Sequence, residues 1–368
     1  MRRTFLIVLS LVGALAIVGI ALGAKPVKPG KKPPKHARPA APHSYAWHDV
    51  TTGSTASFRG VSAVSRNVAW VSGAAASGGV VLRTLDRGAT WQNVSPAGAP
   101  PTLQFRDIES FGANKAVALS AGTGPDSRIY RTTDGGQTWT LVFENADPNA
   151  FYDCMTFFDR KRGLALSDPP DGMKFRILKT TDGGRTWNVV DPAGMPPALA
   201  GEFAFAASGQ CITSNHGHTA WFGTGGTAEA RVFTSRNRGR TWTVSTTPMA
   251  SGPTSGVFAL AFRSQRHGLA VGGDFNLPTA SPNNFAATRN GGATWTLLTA
   301  APPEYREGAA WVNGHTAIAV GPSGSDFSRN GGRTWQNFDT GNLHTVDCAN
   351  PNACWAAGAN GRAAYLTR

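Results

Sequence analysis

Nowhere in this chain do apolar residues recur over a long stretch at 3.6-residue spacing, so helices are expected to be scarce. No Gly-x-Gly-x-x-Gly turn follows a strand and opens a helix, which excludes the usual dinucleotide fingerprint. No Cys-x-x-Cys-His occurs, which excludes covalently attached haem. No cofactor is therefore expected. Cysteine is sparse, with four in 368 residues and none near Ala24, so a lipoprotein anchor at that point is excluded. Acidic residues are missing altogether from the first 46 positions.

That last absence redistributes the charge. The chain is +13 overall, which invites a nucleic-acid partner. The first 46 residues hold eight of the 35 Lys/Arg and none of the 22 acids, so the remainder carries only +5. A mixed surface of that kind gives no reason to expect nucleic acid. Arg2 and Arg3 precede an uncharged run from Phe5 to Leu22 that ends at Gly23-Ala24. This pattern is a signal peptide over residues 1–24, or an N-terminal anchor, with either general or twin-arginine export. Residues 25–44 read as a basic, proline-rich linker that is unable to bury apolar area. Residues 25–46 are expected to act as a plain spacer or, as part of residues 1–46, as a tether to membrane or cell wall. The expected destination is secreted, periplasmic or cell-surface, and the expected state is monomeric.

What the sequence does contain is one eight-residue motif, Ser/Thr-x-Asp/Asn-x-Gly-x-Thr-Trp, repeated six times. Its tryptophans are Trp91, Trp139, Trp187, Trp242, Trp295 and Trp335, spaced 48, 48, 55, 53 and 40 positions apart. A period of this length marks a repeat fold built from one supersecondary unit per copy. In the second copy, Phe105–Phe111, Lys115–Ser120, Arg128–Arg131 and Thr138–Phe143 read as four strands, with the motif turning between the third and fourth. The Asp or Asn is suited to accept backbone N–H bonds within that turn, Gly to supply positive φ, and Trp to fill the space between neighbouring units.

Four-stranded units of this size are propeller blades. Three further strands, Leu343–Cys348, Ala353–Ala357 and Arg362–Thr367, follow the last motif, and Ala46–Val50 near the other end offers a fourth that carries Trp47. The expectation is an all-β, seven-bladed propeller over residues 45–368, closed by that N-terminal strand. Cys348 and Cys354 flank a turn sequence and are expected to bridge a hairpin. Cys154 and Cys211, about one repeat apart, either bridge neighbouring blades or are buried thiols.

The turn motif resembles the Asp-box, or bacterial neuraminidase repeat. Phe58-Arg59-Gly60-Val61, Phe105-Arg106-Asp107-Ile108, Gly201-Glu202-Phe203-Ala204-Phe205, Gly223-Thr224-Gly225-Gly226, Gly272-Gly273-Asp274 and Val320-Gly321-Pro322-Ser323-Gly324-Ser325-Asp326 extend the likeness. Together they resemble the photosystem II stability/assembly-factor-like family, in a branch often labelled oxidoreductase or glycosyl hydrolase. The resemblance implies an exported scaffold that binds a protein or peptide, or assembles an envelope protein. It implies no reaction.

The site is expected on the face opposite the Asp-box turns, where inner strands begin. One residue per blade aligns there: Arg59, Arg106, Tyr152, Glu202, Val257, Arg306 and His344. Asp153 neighbours this ring, and the ends of the second strands add Asp168, Asp274, Ser323 and Asp326. Arginine forks suit carboxylates, and a basic funnel concentrates field on an anionic ligand. The alternative is a glycoside hydrolase-like protein or lectin that uses Glu202, Asp168, Asp274 and Tyr152. A sialidase would set Arg59, Arg106 and Arg306 around a carboxylate, but its Phe-Arg-Ile-Pro start is absent. His216 and His218 read as loop histidines, so no metal is expected. Arg87, Arg185, Arg236, Arg238 and Arg240 lie in Asp-box turns and are expected only to solvate that face.

Overall fold

Each Asp-box turn is a closed hydrogen-bond circuit. In the second copy the Thr132 hydroxyl donates to Asp134 Oδ1 (2.9 Å) and accepts from the Gly136 N–H (2.9 Å). Asp134 in turn accepts the Thr138 N–H (3.0 Å) and hydroxyl (2.6 Å). Gly135 and Gly136 take φ of +80° and +84°, values that a Cβ disfavours. In the last three copies Asn replaces Asp, and its amide donates to the Thr hydroxyl instead, as Asn237 Nδ2 does to Thr241 Oγ1 (2.8 Å). The circuit survives with one bond reversed.

The structure, a computed structural model, describes residues 44–205, 207–215 and 217–368. The signal and linker readings lie outside these residues, Ser44 aside. The described chain forms seven four-stranded antiparallel units. Blade 1 runs from Ser57–Ala63 to Gln92–Asn93, blade 2 from Gln104–Ser110 to Thr140–Glu144, and blade 3 from Phe151–Phe157 to Asn188–Val189. Blade 4 runs from Ile212–Ser214 to Thr243–Thr246, blade 5 from Ser255–Phe262 to Thr296–Leu297, and blade 6 from Gly308–Trp311 to Gln336–Asp339. Blade 7 consists of Leu343–Asn350, Ala353–Gly358 and Ala363–Thr367 with Ala46–Val50 as its outer strand. Ala46 pairs with Thr367 and Val50 with Ala363. A short bridge from Phe151 and Tyr152 to Thr123 and Gly122 joins blades 2 and 3. Among the described residues, helix is confined to three 3₁₀ turns.

The core lies between blades, where facing sheets exclude water from branched and aromatic side chains. Trp139 meets Trp70 of the preceding blade edge-on at 6.4 Å and donates to Val94 O (2.7 Å). Trp91 and Trp335 reach back to Trp355 and Phe285 in the same way. Trp47 completes the set by donating to Ser325 Oγ of blade 6 (3.0 Å) and packing on Phe338. One disulfide, Cys348–Cys354, closes the blade 7 hairpin, and a second, Cys154–Cys211, ties the inner edges of blades 3 and 4.

Candidate functional site

Inner strands carry a β-bulge near their start. The pairing slips at Arg59 in blade 1, Arg106 in blade 2, Asp153 in blade 3, Phe258 in blade 5 and His344 in blade 7. In blade 6, the Glu307 N–H donates to Val320 O while Gly308 also faces Val320, which makes Glu307 the extra residue. A bulge leaves one residue unpaired and re-aims its side chain. The residue before each bulge, Phe58, Phe105, Tyr152, Val257 or Leu343, is buried in the core.

This register corrects the expected ring. Tyr152 and Val257 belong to the buried column, one residue short of the axis. Tyr152 packs on Phe143 at 5.6 Å, and burial pushes its hydroxyl up to about 12. Arg306 occupies the same column in blade 6 and is fully buried. Its guanidinium is held by Asp326 (2.7 Å), Ser323 Oγ (2.9 Å), Tyr305 O (3.0 Å) and Glu304. Burial raises the Asp326 carboxyl, with Arg306 opposing. Arg306, Ser323 and Asp326 thus form one internal cluster, so the arginine triad of a sialidase is not assembled. Glu202 is likewise enclosed: Arg231 grips both its oxygens, and Thr224 Oγ1 and the Leu199 N–H add bonds. Asp274 accepts the Asn276 N–H (2.9 Å) and shapes a loop. Asp168 accepts the Ala204 N–H (2.8 Å), and burial pushes its carboxyl up to about 7. Of the residues proposed for glycoside chemistry, Glu202 is thus committed to Arg231, Tyr152 to the core, and Asp168 and Asp274 to backbone N–H groups.

Arg59, Arg106 and His344 are brought together. They line a cavity of about 360 Å³ with Phe205, Ala207, Phe258, Phe275, Tyr305, Glu307 and Pro322. Glu307, almost wholly buried, accepts from Arg59 (3.4 Å), Tyr305 OH (3.0 Å) and His344 Nδ1. Burial, then Glu307, hold the Tyr305 hydroxyl well above its usual range. Burial and the neighbouring Arg59 lower Arg106, against Asp153 and Glu307. The lining also holds an aromatic group, with Phe205 stacked on Phe258 at 4.0 Å and Tyr305 edge-on to Phe258 at 4.7 Å. Phe275 stands exposed at the rim.

The segment that leads into blade 4 contributes Phe205 and Ala207 to this cavity. Counting back four residues from Ser214, which pairs with Ala220 where the second strand starts, puts Gln210 at the ring position held by Arg59 and Arg106. Gln210 Nε2 donates to Ala309 O (2.8 Å) and Val346 O (3.0 Å), and its Oε1 accepts the Ala309 N–H. Ser208 Oγ donates to Glu307 O (2.7 Å), the Gly209 N–H to Arg59 O (3.2 Å), and Arg59 Nη1 to Ala207 O (2.9 Å). This segment touches blades 1, 5, 6 and 7 at once and so spans the axis. A Cβ on Gly209 would lie 2.3 Å from Asp107 Oδ1, so the crossing needs glycine.

Gly209 and Gln210 of the crossing line a smaller cavity, about 130 Å³, with Asp107, Glu109 and Asp347. Burial pushes Asp107 up to about 8, although it accepts the Met155 and Ile108 N–H groups; Asp347 adds to the rise. Burial also holds Glu109 and Asp153 well above the carboxylate range. Asp153, Cys154 and Cys211 form a metal-type grouping, but the two sulfurs are joined to each other. His218 is exposed; His216 lies outside the described residues.

Glu307, Phe258, Phe205 and Gln210 were not among the expected site residues. For Phe258 a signal was present: Phe58, Phe105, Tyr152, Val257 and Leu343 form one apolar column, and the next residue lies on the axis in those five blades. In blade 6 the charged Arg306 holds the column position, so Glu307 had no such mark.

Comparison with known proteins agrees with this architecture. The BNR/Asp-box repeat matches residues 130–141, the second turn and its flanks. No curated protein matches by sequence. Among solved structures, YCF48 bound to D1 peptide is similar, with 15% identity, TM-score 0.61, and coverage of 88% of this chain and 97% of that one. YCF48 from Cyanidioschyzon merolae gives 15%, 0.63, 87% and 98%. The WD40 propeller domain of Doa1 gives 9%, 0.57, 88% and 97%. The chain is an Asp-box β-propeller with the fold of YCF48.

Proposed function

We propose that this propeller is an exported, non-catalytic scaffold that binds an extended peptide segment of another protein at the funnel cavity. The observation that carries the reading is the mixed lining: Arg59 and Arg106 share one cavity with Phe205, Phe258, Tyr305 and exposed Phe275. An arginine pair offers forked donors to a carboxylate, from a chain end or an acidic side chain. The aromatic group takes an adjacent apolar side chain, and a cavity of about 360 Å³ accommodates a few residues rather than a folded domain. A YCF48 structure with a D1 peptide bound supports peptide recognition on this fold. The glycan reading has less support, since Glu202 is locked to Arg231 and Tyr152 is packed in the core.

The test is fluorescence anisotropy of the full chain with labelled peptides that end in an apolar residue and a free carboxylate. Arg59→Glu and Phe275→Ser should each weaken binding about tenfold or more, the scale of a lost anchor contact, with the folded circular dichroism spectrum retained. Amidating the peptide terminus should weaken binding to wild type and leave Arg59→Glu indifferent. Affinity unaffected by both substitutions would place the interface elsewhere.

A further inference from the structure

The Asp-box face is electrically divided. The turns of blades 1 to 3 carry Asp86, Asp134 and Asp182, whereas those of blades 4 to 6 carry Asn237, Asn290 and Asn330. With the adjoining loops between first and second strands, the first half bears seven Lys/Arg against four carboxylates. The second half bears eight arginines and no carboxylate. Among the described residues none of those eight forms an ion pair, whereas Arg162 of blade 3 pairs with Asp159 at 3.1 Å. Arginines left unneutralised together raise the local potential and gather anions.

Between blades 5 and 6 this half opens into a cleft of about 760 Å³. Arg263, Arg289, Arg333, His267 and His315 line it, with amide and hydroxyl donors from Asn290, Asn330 and Thr294. Burial lowers His267, and the fields of Arg263, Arg266 and Arg289 lower it further, so several cations converge on one imidazole.

We propose that this half-face binds a linear phosphate-bearing polymer, seated in the cleft between blades 5 and 6. The arginines extend across three blades, which suits a chain of repeating anions better than one compact anion. Membrane insertion would need exposed apolar side chains, and no large hydrophobic residue is exposed in the Asp-box turns of blades 4 to 6. Single-stranded nucleic acid would need open aromatic platforms, but Trp311, the cleft's tryptophan, is covered by Arg263 at 4.9 Å. Recognition is therefore through phosphates alone.

The experiment is titration of the full chain with medium-chain inorganic polyphosphate at several salt concentrations. Binding should weaken steeply with salt, since counterions are released at each phosphate contact. The double variant Asn290→Asp, Asn330→Asp restores a residue that the same turn accepts in blades 1 to 3, so Tm should hold while affinity falls about tenfold or more. Arg289→Gln with Arg333→Gln should give a similar loss, and Arg185→Gln in blade 3 should change affinity less than about twofold. Equal affinity of wild type and both double variants overturns the proposal, as does no binding by wild type at low salt. Tighter binding to a DNA oligomer, or to phosphatidylglycerol vesicles, than to polyphosphate overturns it in favour of that partner.

Discussion

Aspartate is used in opposite ways at the two ends of the blades. On the Asp-box face, hydrogen bonds from the Thr138 hydroxyl and N–H hold Asp134 down to about 2. Asp182 is also held to about 2, the Thr186 donors overcoming its partial burial. Near the axis, burial pushes Asp107 up to about 8 and Asp168 to about 7. The difference is one of burial. An Asp-box carboxylate faces water and collects its donors within eight residues, whereas Asp107 and Asp168 are desolvated and the backbone N–H groups they accept do not offset that cost.

The largest expected effect follows from setting the two groups against each other. The axial carboxyls have folded values above an unfolded value of about 4. Their contribution is therefore fully present below pH ~4 and is lost as pH rises through about 7 to 8. The Asp-box carboxyls have depressed values, so theirs is present above pH ~4 and is lost as pH falls towards about 2. Each tenfold change in a carboxyl's proton affinity on folding is worth about 1.4 kcal/mol. Stability should therefore peak near pH ~4–5 and decline by a few kcal/mol towards pH 8. A Tm series across this range checks it; a Tm that rises from pH 5 to pH 8 contradicts the axial assignment.

Arginine shows the same division on a smaller scale. Arg306 is fully buried against Asp326, while Arg59 reaches Glu307 at 3.4 Å with its side chain 31% exposed. Removing Asp326 leaves the buried Arg306 charge with only the part-exposed Glu304, so Asp326→Ala should cost about 3 kcal/mol. Arg59→Gln should cost about 1 kcal/mol or less. Urea unfolding of both variants measures the contrast, and equal losses would mean that the cavity cluster is as structural as the buried one.

What the sequence disclosed follows the same line between local and convergent. The Asp-box circuit closes within eight residues, so blade number, turn chemistry and the closing role of Trp47 were all legible. The bulge was not, because its register depends on the neighbouring strand. A slip of one residue moves a side chain to the other face, and it exchanged Asp153, Phe258 and Glu307 for Tyr152, Val257 and Arg306. Glu202 lies 29 positions from Arg231, and no motif marks such a pair. The Asp-to-Asn change across the six turns was visible throughout, but its consequence needed the cleft that places blades 5 and 6 side by side.

The smallest expected change, in the midpoint of acid unfolding, tests whether the Asp-box circuit is as self-contained as this contrast requires. Thr132→Val keeps the shape of a buried residue and removes the hydroxyl that accepts the Gly136 N–H and donates to Asp134. The Gly136 N–H is then buried without a partner, at a cost of about 1–3 kcal/mol. Asp134 loses one donor but keeps both from Thr138, so its carboxyl should stay well below the usual range. The acid limb of the Tm profile should therefore keep its midpoint while the whole profile drops. A midpoint that moves up towards pH ~4 would show that the Thr132 hydroxyl, rather than Thr138, holds the charge.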